Sequence, residues 1–221
     1  MRKRIVGRLC QTLSPMQKSP GQSSAFTLIE LLVVIAIIAI LIGLLFPAFR
    51  AVQDQAKRTQ AKNDLTQIVT AVNAFYTEYG KYPLVADDTP ITIDNTLFDI
   101  LRNMTGTTPG NASNPRGIVF INPPNVKDPA NPRAGIAMQD VTVNGVLIPA
   151  GSFVDPWGTP YRVAIDGTYD NQIANPYTTN TGAGPSPLNI GVIAWSLGKD
   201  QAGGSGNKNS ANSDDDVISW Q

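Results

Sequence analysis

From Leu31 to Ala48 the chain runs for eighteen residues without a charge or a strongly polar side chain. Counted from Phe26 to Phe46, the apolar segment is twenty-one residues long and carries one charge, Glu30. A helix of that length rises about 1.5 Å per residue and crosses a hydrocarbon core of about 30 Å. Arg2, Lys3, Arg4, Arg8 and Lys18 all lie before the run, with no acid among residues 1–25. The excess of basic residues on that side keeps the N-terminus in the cytoplasm and sends the rest of the chain across the membrane. A secretory signal peptide fits poorly, because its apolar region is only about 7–15 residues long and a small-residue cleavage site follows it. Here the run is followed by Phe46-Pro47-Ala48-Phe49-Arg50.

Beyond Arg50 the helical period continues but the character changes. Leu65, Ile68, Val69, Val72, Phe75, Tyr76 and Tyr79 recur at three- and four-residue steps, with Lys62, Asp64, Gln67, Asn73 and Glu78 between them. That spacing predicts an amphipathic helix running to Tyr79 and stopped by Gly80 and Pro83. Joined to the membrane segment it makes one helix of about fifty residues, with Pro47 as the place where a backbone donor is missing. Residues 26–49, apolar all round, suit lipid or other helices. Residues 50–82, with one apolar stripe, suit a globular domain on one side.

Residues 1–25 are basic, then rich in Ser, Gln, Pro and Gly, and read as a cytoplasmic leader; Met16 is an alternative start. Residues 83–221 are turn-rich with β signals. Thr96–Met104 reads as a short helix capped by Asn95 or Thr96, and Asn122–Pro132 as loop. Val141–Val143 and Val146–Ile148 flank Asn144-Gly145, a pair that tolerates the positive φ values of a type I′ hairpin turn. Tyr161–Ile165 and Ile190–Trp195 are further strand candidates, and Val217-Ile218-Ser219-Trp220 follows a Gly, Asn, Ser and Asp stretch. The fold class expected is α+β, one long N-terminal helix packed on a small antiparallel sheet, with a long C-terminal loop.

Composition narrows the chemistry. The chain has no histidine, which removes the commonest general base and zinc ligand. Its single cysteine, Cys10, lies in the basic head, so no intrachain disulfide forms. From Phe26 onward 12 basic residues face 17 acidic ones, a net of −5, which argues against a nucleic-acid partner. No enzyme is expected. Phe75, Tyr76, Tyr79 and Tyr82 at helical spacing read as core, and Lys57-Arg58 as a solvated face that is also able to meet an acid such as Asp54 of a neighbouring subunit.

Glu30 is the sharpest observation. A carboxylate at that depth costs about 2.5–3.5 kcal/mol on insertion scales, so it calls for a basic partner. The segment Ala25-Phe26-Thr27-Leu28-Ile29-Glu30-Leu31-Leu32 closely resembles the cleavage and methylation motif of type IV prepilins and type II secretion pseudopilins. The resemblance implies a type IV pilin-like fold and a prepilin peptidase that cuts between Ala25 and Phe26. It implies N-methylation of the new amine on Phe26, and Glu30 as the carboxylate that pairs with the amine of a neighbouring subunit during assembly. Pro47 falls where the family's helix commonly has a proline. The family usually has glycine where this chain has Ala25.

A second constellation lies towards the C-terminus. Asp155-Pro156-Trp157-Gly158-Thr159-Pro160-Tyr161, Ser196-Leu197-Gly198-Lys199-Asp200 and Asp214-Asp215-Asp216-Val217-Ile218-Ser219-Trp220 resemble the major pseudopilin of type II secretion systems. That resemblance implies one calcium ion held by carboxylates of Asp200, Asp214 and Asp216 and carbonyls of Leu197 and Ile218. A shifted set using Asp215 or Asn212 stays open. Calcium takes six to eight oxygen ligands in flexible geometry, which an Asp/Asn/Gly loop supplies. The Asp-Pro-Trp-Gly stretch reads as a structural turn with Trp157 over the core.

The function implied is a structural subunit of a type II secretion pseudopilus. It would sit in the inner membrane as a single-pass protein with its C-terminal domain in the periplasm. Its partners would be itself and other pseudopilins, the prepilin peptidase, the inner-membrane secretion platform and lipid. A type IV pilus subunit and a membrane-anchored binding protein that never polymerises are the alternatives.

Overall fold

The long helix follows from the apolar run and the stripe behind it. The computed structural model describes residues 26–84, 87–91, 95–104, 113–177, 182–203 and 214–221. The leader, Cys10, Met16, Ala25 and Asn212 lie outside them. Helix α1 spans Leu28–Tyr79, 52 residues, with Pro47 inside it. It ends where Gly80 takes φ +68° and its N–H bonds the Tyr76 carbonyl at 2.8 Å, a left-handed stop that glycine makes without strain.

The chain divides into two compact units, Met1–Ala48 and Phe49–Gln221. In the first, the described part of α1 is long and apolar enough to cross a membrane, and its described side chains are exposed: Ile29 by 69%, Leu45 by 68%. In the second, Ala61, Leu65, Ile68, Val72 and Phe75 are sealed from solvent. They pack with Leu97, Ile100, Leu101, Phe153, Trp157, Val163 and Ile165 into the main core. Each fully buried large side chain contributes about 1.5–3 kcal/mol, so this stripe fixes the second half of α1 on its domain. Tyr76 departs from the core expectation: it is 40% exposed and stacks on Tyr82, 4.5 Å between ring centroids. Tyr79 is half-buried and donates its hydroxyl to Asn114 Oδ1 at 2.6 Å.

Helix α2, Thr96–Leu101, stops short of the expected Met104. Asn95 stands at its N-cap position but makes no side-chain cap bond; its Nδ2 donates to the Ala150 carbonyl at 2.8 Å. Strands β1 (Gly135–Ile136), β2 (Val141–Val143), β3 (Val146–Ile148), β4 (Phe153–Val154), β5 (Arg162–Ile165), β6 (Val192–Ser196) and β7 (Val217–Ile218) follow. They form three small antiparallel sheets where one was expected: β1-β4, β2-β3 and β5-β6-β7. The β2–β3 hairpin has the expected turn, with Asn144 at φ 51° and Gly145 at φ 79°. Strand β6 is buried at every position, and one face of its sheet adds Ala164, Ile193, Trp195 and Ile218 to a second core. In register, Trp195 opposes both Arg162 and Ile218. The chain that follows β6 and the chain that precedes β7 therefore emerge side by side, which brings Asp200 to Asp215 and Asp216.

Candidate functional site

At the N-terminal end of α1, Thr27 and Glu30 close on each other. The Glu30 carboxylate accepts the Thr27 N–H at 2.9 Å and its hydroxyl at 2.6 Å, while Thr27 Oγ1 accepts the Glu30 N–H at 3.3 Å. This is a capping box, which satisfies two of the orphan amide groups of a helix start. It also holds the acid in the first turn, where the helix dipole favours negative charge. Phe26 stands just before it, 78% exposed. Thr27 was missed in reading the sequence for function, although Thr-x-x-Glu before an apolar run is the pattern that signals such a box. Pro47 contributes no N–H to the backbone ladder of α1.

The second constellation is built on a buried aspartate. Asp155, with no exposed surface, accepts backbone N–H groups of Trp157, Gly158 and Thr159 on Oδ1 at 2.7–2.9 Å. Its Oδ2 accepts the hydroxyls of Thr159 at 2.6 Å and Ser196 at 2.5 Å. Burial pushes this carboxyl up from its ordinary range while the donors pull it back. The turn is therefore structural, as expected, and it ties the Asp-Pro-Trp-Gly segment to the end of β6. Nearby, the Tyr161 hydroxyl donates to Asp64 of α1 at 2.8 Å, and burial raises Asp64 above the usual carboxylate range.

From Ser196 the chain turns at Gly198, φ +69°, where a side-chain carbon would lie 2.5 Å from the Asp215 carbonyl and 2.7 Å from its Oδ2. That close approach lets Asp215 Oδ2 accept both the Lys199 N–H and, at 2.9 Å, the Asp200 N–H. Carboxylate oxygens of Asp200, Asp215 and Asp216 come within 4.8 Å of one another. Asp215 is 9% exposed, and its Oδ1 is buried with no hydrogen-bond partner among the described residues. Asp216 accepts the buried Tyr177 hydroxyl at 2.6 Å; burial first, and this hydrogen bond second, raise that phenol's pKa.

The trio brought together has Asp215, the alternative left open, in the place of Asp214. Asp214 is exposed and lines a recess with Arg58, Lys62 and Ile218 instead, because Gly198 draws Asp215 inward. Leu197 is buried in the second core. The Ile218 carbonyl accepts the Lys62 ammonium at 2.7 Å, so one of its lone pairs is already engaged.

A second acidic cluster, Asp88, Asp166 and Asp170, also lies within 4.8 Å. Its oxygens accept the N–H groups of Gly167, Asp170 and Asn171, which account for the arrangement without a ligand.

Residues 21–46 match the prokaryotic N-terminal methylation motif. Over that segment the chain is similar to type IV pilin-like proteins. It is 37% identical over 67 residues to the type IV major pilin protein PilA of Myxococcus xanthus, a match covering 30% of each chain, well under two thirds of that relative. It is 28% identical over 147 residues to the type II secretion system core protein G of Pseudomonas aeruginosa, covering 66% of this chain and 77% of that one. No solved structure matches it. The long N-terminal helix followed by small antiparallel sheets agrees with the pilin-like α+β architecture.

Proposed function

We propose that this chain is a structural subunit of a type II secretion pseudopilus, cut before Phe26, methylated there, and assembled with copies of itself and other pseudopilins. The observation that carries the reading is the exposed apolar half of α1 with one carboxylate, Glu30, in its first turn. Such a surface needs lipid before assembly and neighbouring helices after it. Cutting before Phe26 would leave a cation at the membrane boundary, and an acid on a neighbouring subunit neutralises it strongly where the dielectric is low. The capping box presets the carboxylate for that exchange. The longer match to the secretion core protein, against a shorter one to the pilin, supports the pseudopilus over the surface pilus. In this reading the protein sits in the inner membrane with its leader in the cytoplasm and its domain outside. Its work is packing rather than catalysis.

The reading is tested by Glu30→Ala. Membrane insertion should persist and filament assembly should fall to background in cross-linking and electron microscopy. Unchanged assembly would remove Glu30 from the mechanism, and a native chain that never assembles would favour a plain anchor.

The domain's cation would be calcium, held by Asp200, Asp215 and Asp216. The donor set is all oxygen, and the buried Asp215 Oδ1 without a partner is the atom that a hard cation would satisfy. A bound ion would offset most of the charge of three crowded carboxylates and stabilise the domain by linkage, about 2.7 kcal/mol at a hundredfold excess over Kd. Calcium should therefore raise the melting temperature of the detergent-solubilised protein and EDTA should lower it. No response to either would return the trio to a solvated turn.

A further inference from the structure

The first stretch of α1 beyond Ala48 is poorly anchored by apolar contacts. From Ala51 to Gln60 no side chain is buried; Asp54 and Lys57 alone reach half-burial, and Val52 is 67% exposed. The sealed stripe begins at Ala61. Two lysines bridge this stretch to the aspartate cluster. Lys199, next to Asp200, donates its ammonium to Asp54 Oδ2 at 2.7 Å. Lys62, on α1, donates to the Ile218 carbonyl at 2.7 Å and also to the Gln221 carbonyl. Lys199 is thus one residue from Asp200, and Ile218 is two residues from Asp216. Both straps are extensions of the segments that carry the clustered carboxylates.

We propose that the cation site works as a clamp on α1: when it is filled, the Lys199–Asp54 and Lys62–Ile218 straps hold residues 52–62 against the domain, and when it is empty they release them. The inference rests on the calcium reading above and adds what the ion does. Three carboxylates this close repel one another without a counter-charge. Their segments, and the lysine contacts attached to them, then lose a defined position. An exposed ion pair such as Lys199–Asp54 contributes too little to order a loop by itself, so the straps depend on the cluster being fixed by something else. The helix stretch they hold adjoins the apolar half directly. A loaded subunit would present that part of α1 in a single docked conformation to its neighbours, whereas an empty one would not.

Hydrogen exchange on the full chain in detergent micelles, with calcium or with EGTA, tests this directly. Calcium should slow amide exchange in residues 52–62 and 217–221 by roughly tenfold or more, equivalent to about 1.4 kcal/mol. In Lys62→Met, which keeps the apolar stem, and in Lys62→Met with Lys199→Met, calorimetric titration should still show calcium binding. Protection of 52–62 by calcium should be lost while protection at 214–216 remains. Calcium binding to the native chain without any change at 52–62 would overturn the clamp and leave the site intact, as would protection that survives in the double variant. A flat titration of the native chain would overturn the calcium reading and the clamp with it.

Discussion

The two halves of α1 share one backbone geometry and meet opposite surroundings. Between Leu28 and Phe46 apolar side chains cover every side of the helix and stand exposed, Ile38 by 48% and Leu44 by 72%. Between Ala61 and Phe75 the large apolar residues follow one stripe, in which Leu65, Ile68, Val72 and Phe75 are completely buried and Val69 is half-buried. In water the first pattern is an unpaid hydrophobic cost and the second is a domain core. A helix that carries both in series has two jobs: one half waits for lipid or other helices, and the other carries a folded domain. Glu30 sharpens the contrast, since it is the one acid in the half that should have none.

The contrast predicts opposite responses to the same kind of truncation. Phe75→Ala should cost about 3–5 kcal/mol of domain stability, on the order of 10 °C in Tm, because it opens a cavity in a closed core. Ile38→Ala should leave the domain's Tm unchanged and weaken filament assembly instead. Calorimetry of the two variants in detergent checks both; equal losses of Tm would mean that the first half packs in the monomer.

A smaller effect distinguishes the polar flank of the stripe. Burial raises the Asp64 carboxyl above its ordinary value of 3.8, so between that value and the raised native one the folded chain holds a proton that the unfolded chain has lost. The associated stability is fully present below the ordinary value and is lost as pH rises through the raised native value. Asp64→Asn, which keeps an acceptor for Tyr161, should therefore gain Tm relative to the native chain at neutral pH. That gain should shrink as the pH falls towards 4. A difference that stays constant with pH would show that Asp64 is not held in this way.

The helical elements and the hairpin were legible because their signals are local. An unbroken apolar run, a three-and-four stripe and Asn-Gly between alternating strands need no tertiary information. Strands β1 and β4 were not legible, since a two-residue pairing such as Gly135 with Val154 is too short to show an alternating pattern and joins residues distant in sequence. The split into three sheets was hidden for the same reason. The aspartate cluster was partly legible: Asp200 and Asp216 come together with Asp215, the alternative left open beside Asp214, through a close approach at Gly198 that no spacing rule records. Thr27 was legible and was overlooked, its capping pattern being masked by the motif that contains it. Tyr76 followed the helical period yet left the core, because Tyr82 and Tyr169 offer it a stacking surface outside.

The central claim is that the apolar half of α1 is made available by a cut before Phe26. Intact-mass and fragment-ion mass spectrometry of the protein recovered from membranes measures this directly. The account predicts an N-terminus at Phe26 carrying one methyl group, with residues 1–25 absent. An N-terminus within the leader, beyond Phe46, or at an unmodified Phe26 would contradict it.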